Sequence, residues 1–154
     1  MPLSHALKLV PLLVKSSKTF ACAESCTGGQ IAAAITSVAG CSKVFMGGVV
    51  SYSNASKVDL LGVDKALLDK LGAVCMETAE QMAQGALDRF SVDCAVATTG
   101  IAGPGGGSEA KPVGLVFIAW ADESGVRGER FLFSGNRSQI QLFTISHCNS
   151  RVCF

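Results

Sequence analysis

Thr19-Phe20-Ala21-Cys22-Ala23-Glu24-Ser25-Cys26-Thr27-Gly28-Gly29-Gln30-Ile31-Ala32-Ala33-Ala34-Ile35 is the stretch that decides the fold class. Residues 19–23 read as a short buried strand and Gln30 to Ile35 as a helix of small residues, with a Ser/Thr/Gly turn between them. A strand feeding a helix through a tight turn opens an α/β unit, and the turn gathers free backbone N–H groups and the positive helix end. Such a position suits an anion, an oxyanion or a nucleophile. Three readings of it stand together: Ser25 or Thr27 as helix caps, an anion cradle without chemistry, or an activated hydroxyl or thiol.

Upstream, Leu3, Leu7, Val10 and Val14 recur at helical spacing, which predicts a first helix packing one stripe on a core and bent or shortened by Pro11. Downstream, Val44 to Tyr52 is β-rich, and Gly47-Gly48 marks a bulge or a close approach of another backbone. Ser53 and Asn54 supply caps for a short helix over 55–61 that Gly62 ends. Asp64 caps a second helix ending near Gly72, and Thr78 to Phe90 makes a third with Ala79, Met82, Ala83, Ala86 and Leu87 on one side. Cys94 to Thr98 is an apolar strand entering a glycine-rich segment. The segments 113–120 and 126–133 follow as strands joined by Asp122-Glu123-Ser124-Gly125, a hairpin link. The whole predicts one α/β domain over residues 1–154, three-layered, with a mixed sheet flanked by helices.

Composition narrows the function classes. The 154 residues are 49% apolar and 16% charged, enough for a packed core and too apolar for disorder. Lys plus Arg is 13 against 12 for Asp plus Glu, so the formal charge of +1 supplies no basic field, and no nucleic-acid partner is expected. No window approaches the roughly 18 apolar residues of a membrane span, and residues 1–15 lack a basic leader and cleavage site. A cytoplasmic location without membrane association is therefore expected. The seven cysteines are scattered without C-x-x-C pairs, which argues against a disulfide frame or a structural zinc site.

The turn at 23–29 is not a P-loop, since no Lys follows its glycines, and it does not match G-x-S-x-G. His5 and His147, both near termini, offer no convincing triad base. Lys57, in the helix after Tyr52-Ser53-Asn54, is a candidate base because a shielded lysine can be neutral near pH 7; the plain alternative is an exposed helix lysine. Tyr52 reads equally as a core ring with a bonded hydroxyl. The run Thr99-Gly100-Ile101-Ala102-Gly103-Pro104-Gly105-Gly106-Gly107 follows a strand, so its glycines suit either a ligand nest or a surface loop. Lys111 and Arg137 are candidate cations for a phosphate.

Together, AESCTGG at 23–29, YSNASK at 52–57, LGV at 61–63, GAV at 72–74, TTGIAGPGGGSEAKPVG at 98–114 and FSGNR at 133–137 resemble the CinA carboxy-terminal domain family, the bacterial nicotinamide mononucleotide deamidases. The motifs run in order from about residue 4 to residue 140. The resemblance implies hydrolysis of nicotinamide mononucleotide to nicotinate mononucleotide and ammonia, a step of pyridine nucleotide salvage, with no metal or other cofactor. It implies Ser25 as nucleophile, Lys57 as its base, Tyr52 as proton relay or positioning group, and Arg137 as a residue holding or polarising the substrate. Cys26, Thr27 and Gly28 are expected to offer oxyanion donors, and Gly100, Gly103, Gly105 and Gly106 to meet the nucleotide phosphate or ribose. The expected partners are a small nucleotide substrate and a second copy of the chain in a homodimer.

Two departures from the family accompany the match. The segment 141–154 is rich in β-branched, Ser, Asn and Cys residues with poor helix propensity, so the family's terminal helix is not expected, and an altered reading frame or shortened end is. The sequence also shows no match to the amino-terminal domain of longer members, so the stand-alone form is expected. Beside the amidohydrolase stand two other readings: a non-catalytic nucleotide-binding module using the same turn and loop, and a thiol enzyme with Cys26 as nucleophile.

Overall fold

The alternation of strand and helix patterns produces a five-stranded mixed sheet in a computed structural model that describes residues 2–149 and 152, and the side chains of these except Pro2, Leu3 and Asn149. The strands are β1 (Phe20–Glu24), β2 (Phe45–Val50), β3 (Cys94–Gly100), β4 (Leu115–Asp122) and β5 (Gly125–Leu132), in the order β2-β1-β3-β4-β5. Parallel pairing of β1 with both β2 and β3 puts the chain ends of those three strands, at Glu24, Val50 and Gly100, on one edge of the sheet. The chain leaves β1 for β2 on one side and later reaches β3 on the other, so a topological switch point lies at the end of β1. The β4–β5 hairpin is antiparallel, with Asp122 opposite Gly125 across the tight turn.

Helices fill both faces, which confirms the three-layer α/β reading. On one face lie α1 (Pro2–Ser16), α2 (Gln30–Thr36) and α6 (Arg137–Asn149), packed on Phe20, Cys22, Val96, Val116, Ile118 and Trp120. On the other lie α3 (Asn54–Leu61), α4 (Lys65–Leu71) and α5 (Met76–Phe90), over Ala21, Ala23, Ala95, Ala97, Ala119 and Ala121. The difference in side-chain size is physical: a face of alanines lets α5, with Ala79, Ala83 and Ala86 buried, sit close to the sheet. Gly85 lets α5 approach the end of α3 as closely, since a Cβ there would stand 2.0 Å from the Leu61 carbonyl oxygen. The expected irregularity at Gly47-Gly48 is real: the β1–β2 register shifts between Phe20 and Ala21, and a Cβ on Gly48 would lie 2.7 Å from Cys22 Sγ.

Three expectations need correction. The buried stripe of α1 is Ala6, Leu9, Val10 and Leu13, whereas Leu7 and Val14 face outward, Leu3's side chain lies outside the described residues, and Pro11 sits exposed within an unbroken helix. The segment after Ile140 does form the terminal helix: α6 continues through Asn149, burying Ile140, Thr144, Ile145 and Cys148, and Trp120 Nε1 donates to the Cys148 carbonyl at 3.1 Å. Tertiary packing overrides weak propensity here, and a reciprocal cap starts the helix, with Gln139 N donating to Asn136 Oδ1 and Asn136 N to Gln139 Oε1. Residues 150–151 and 153–154 of that segment lie outside the described residues. Finally, Cys22, Cys26, Cys41, Cys75 and Cys148 are free thiols, but Cys94 is disulfide-bonded. Sequence spacing carries no information about which cysteines meet in space.

Candidate functional site

Ser25 is the first residue beyond β1, and its backbone N–H donates to the Thr98 carbonyl at the end of β3, which ties the turn to the switch point. Lys57 arrives from the opposite layer. Ser53 caps α3 by accepting from Ser56 N, and Lys57, one turn in, points back toward the helix start as helical side chains do. Its Nζ consequently lies 3.0 Å from Ser25 Oγ, donates to the Ser51 carbonyl at 2.6 Å and approaches the Tyr52 carbonyl at 3.4 Å. The side chain is fully buried. No ion pair among the described residues includes Lys57. Burial without a carboxylate partner lowers its pKa from the ordinary 10.5, with the nearby Cys26 opposing the shift. The exposed-lysine reading is thus overturned, and the two sequence candidates are in contact.

Neither Ser25 nor Thr27 caps α2. Glu24, the last residue of β1 and buried, takes the N–H groups of Gly29, Ile31 and Ala32 instead. Thr27 is buried with its hydroxyl 2.8 Å from that of Thr98, an anchoring contact. The Gly28 N–H, expected as an oxyanion donor, is taken by the Ser25 carbonyl. Burial pushes the Cys26 thiol up to about 12, which disfavours the thiolate a cysteine nucleophile needs. Gln141 Nε2, on α6, donates to the Cys26 carbonyl at 2.9 Å, so the terminal helix braces the turn that carries Ser25.

Tyr52 is not a core ring: it is 60% exposed, and its hydroxyl accepts from Arg137 Nη2 at 3.0 Å. Its side chain has no bond to Ser25 or Lys57 among the described residues, so its geometry fits positioning better than proton relay. Arg137 Nη1 donates to the Gly103 carbonyl at 2.9 Å, joining the glycine loop to Tyr52. Beside this bridge lies a cavity of about 500 Å³ lined by Ala102, Pro104, Val113, Asn136, Arg137 and neighbouring Gly135 and Ser138. Of the expected ligand residues only Arg137 lines it; Gly100, Gly103, Gly105 and Gly106 do not, and neither do Ser25 and Lys57. Gly100 belongs to β3, where a Cβ would stand 2.7 Å from the Leu115 carbonyl oxygen, which accounts for that glycine by packing alone. Lys111 is also committed elsewhere, its Nζ donating to the Leu71 carbonyl at 2.6 Å.

Sequence reasoning missed Glu24, Gln141 and Ser51. Ser51 Oγ is buried with no hydrogen-bond partner among the described residues, on the residue whose own carbonyl accepts from Lys57. Glu24 escaped because helix caps are sought next to the helix, and this one reaches from the preceding strand. No metal-binding cluster of His, Cys, Asp and Glu occurs among the described residues, and no described helix is long and apolar enough to cross a membrane.

An α/β domain with a buried lysine against a serine at the β1 switch point defines the class. Residues 3–150 match the CinA C-terminal domain, and the chain belongs to that family. It is 50% identical over 133 residues to a CinA-like protein of Geotalea daltonii and 50% identical over 135 residues to one of Endomicrobium trichonymphae, covering 86% and 88% of this chain. It covers 32% of each of those relatives, so the chain spans about a third of the length of the curated relatives it matches. Among solved structures, a competence/damage inducible protein from Agrobacterium tumefaciens superposes with a TM-score of 0.94 at 42% identity, over 97% of this chain and 92% of that one. A CinA superfamily protein from Escherichia coli superposes with a TM-score of 0.93 at 27% identity, over 97% and 87%. The match through residue 150 includes α6, in keeping with its docking on the core.

Proposed function

We propose that the protein is a serine–lysine amidohydrolase that converts nicotinamide mononucleotide to nicotinate mononucleotide and ammonia. The observation that best supports this is Lys57 Nζ, shielded from water, 3.0 Å from Ser25 Oγ. A neutral lysine amine has two N–H bonds and one lone pair; the Ser51 and Tyr52 carbonyls accept the N–H groups, which turns the lone pair toward the Ser25 hydroxyl. Ser25 Oγ attacks the carboxamide carbon as its proton passes to Lys57, and the resulting tetrahedral oxyanion is met by backbone N–H groups of the turn. Collapse breaks the C–N bond, and the lysine proton goes to the departing nitrogen, which leaves as ammonia. Water then attacks the acyl-serine with Lys57 again as base, releasing the carboxylate and restoring Ser25. The Arg137 guanidinium on the adjacent cavity is the cation best placed for the nucleotide phosphate.

The test is ammonia release by the purified protein from nicotinamide mononucleotide and from its riboside, with Ser25→Ala alongside. Release from the mononucleotide that Ser25→Ala abolishes supports the reading; no release, or an unchanged rate in Ser25→Ala, refutes it. Loss of release with the riboside supports the phosphate contact. A second reading, a nucleotide-binding module without turnover, is favoured by one observation: the cavity lining excludes the reacting pair. Saturable nucleotide binding with no ammonia would establish it. A homodimer under the assay conditions is also proposed, and sedimentation equilibrium reads it.

A further inference from the structure

Glu24 is a carboxylate 1% exposed, and the chemistry above does not use it. Its Oε2 accepts from Gly29 N at 3.1 Å and Ile31 N at 3.0 Å, its Oε1 from Ala32 N at 2.9 Å, and Cys22 Sγ donates to Oε1 at 3.7 Å. The residue at the usual cap position, Gly29, has φ 97 and offers no side chain. Elsewhere in the turn, Ser25 N donates to the Thr98 carbonyl, Gly28 N to the Ser25 carbonyl and Gln30 N to the Thr27 carbonyl. Among the described residues, the N–H groups of Cys26 and Thr27 are the two in residues 25–33 that make no hydrogen bond to another residue, and that of Cys26 lies against its own thiol. Glu24 is covalently next to Ser25, so the position of its carboxylate fixes the peptide that carries the nucleophile.

We propose that Glu24 is the positioning residue of the nucleophile: by filling the start of α2 with its own carboxylate it fixes the 25–29 turn with Ser25 facing Lys57. The amides of Cys26 and Thr27 are then the two donors left open toward a developing oxyanion. This rests on the serine–lysine reading. It also means that a substrate phosphate is not received at α2, whose donors Glu24 already occupies, and must bind elsewhere on the protein.

Glu24→Gln tests this, because it keeps the shape but sets an amide NH2 against backbone donors. In the full chain two rates are measured: ammonia release from nicotinamide mononucleotide, and labelling of Ser25 by a fluorophosphonate, which phosphonylates an activated serine with loss of fluoride and needs no nucleotide. The expected result is native circular dichroism, kcat and labelling both lowered roughly 10- to 100-fold, and KM changed by less than about threefold. The pH at which the rate levels off should stay at its wild-type value, since Lys57 is untouched. Labelling and kcat within about twofold of wild type, with Ser25→Ala unreactive, would overturn the proposal. A wild type that is labelled but releases no ammonia would defeat the substrate reading and leave the Glu24 comparison to be read from labelling. A wild type neither labelled nor active would remove both. If Glu24→Gln does not fold, amide hydrogen exchange on the wild type decides: protected Gly29, Ile31 and Ala32 with fast Cys26 and Thr27 is expected, and the reverse pattern overturns it.

Discussion

Ile145→Ala probes whether α6 is an integral part of the domain. Ile145 is 2% exposed and packs in the same cluster as Leu9, Leu13, Trp120 and Val152. Truncation to Ala removes three carbons, about 2.4 kcal/mol of transfer free energy at roughly 0.8 kcal/mol per CH2. A residual cavity raises the total to about 3–4 kcal/mol. For a domain of this size each kcal/mol corresponds to about 2–4 °C, so Tm should fall by about 6–16 °C. The matched control is Leu142→Ala on the outer face of the same helix, where Leu142 is 45% exposed; its change should stay within about 0.5 kcal/mol. Urea unfolding followed by circular dichroism measures both, with an unchanged m-value certifying that Cm reports stability. Equal, small effects of the two substitutions would refute the docking of α6. The same helix sends Gln141 to the Cys26 carbonyl, so activity is expected to fall wherever α6 undocks.

Cys26→Ala should keep at least about a third of the wild-type ammonia release, since a thiol pushed up to about 12 stays protonated and packs beside the serine; complete loss in a folded variant would favour a cysteine nucleophile. Tyr52→Phe removes the hydroxyl that accepts from Arg137, so KM should rise by about 5- to 20-fold, the equivalent of roughly 1–2 kcal/mol for a charge-assisted bond. A fall in kcat at unchanged KM would return Tyr52 to the proton-relay role.

Much of the fold was legible because its elements alternate in period. The Ser53 cap, the Gly62 stop and the Asp122-to-Gly125 hairpin are local signals, and the structure places all three where the residues put them. The α1 stripe was misassigned because apolar residues crowd that segment: both Leu7/Val14 and Leu9/Leu13 satisfy helical spacing, and only the position of the sheet selects the second. Summed propensity argues against the terminal helix because of its β-branched residues, whereas the Asn136 and Gln139 capping pair is a local signal in its favour. Ser25 and Lys57 are legible in the sequence as a nucleophile and base through the family resemblance; their contact depends on α3 lying across from the β1 turn, a long-range fact that no local pattern holds. The same holds for Glu24, whose donors stand five to eight positions ahead of it in the chain.

The pH dependence of kcat/KM for ammonia release, in wild type and in Lys57→Arg, tests most directly whether the buried amine accepts the serine proton. Deprotonation creates the base, so the wild-type rate should rise tenfold per pH unit and level off clearly below 10.5, the ordinary lysine value from which burial lowers Lys57. Lys57→Arg, whose guanidinium stays protonated, should lose about 10²- to 10⁴-fold and with it the levelling. A Lys57→Arg variant with the wild-type rate and the same profile would contradict the account.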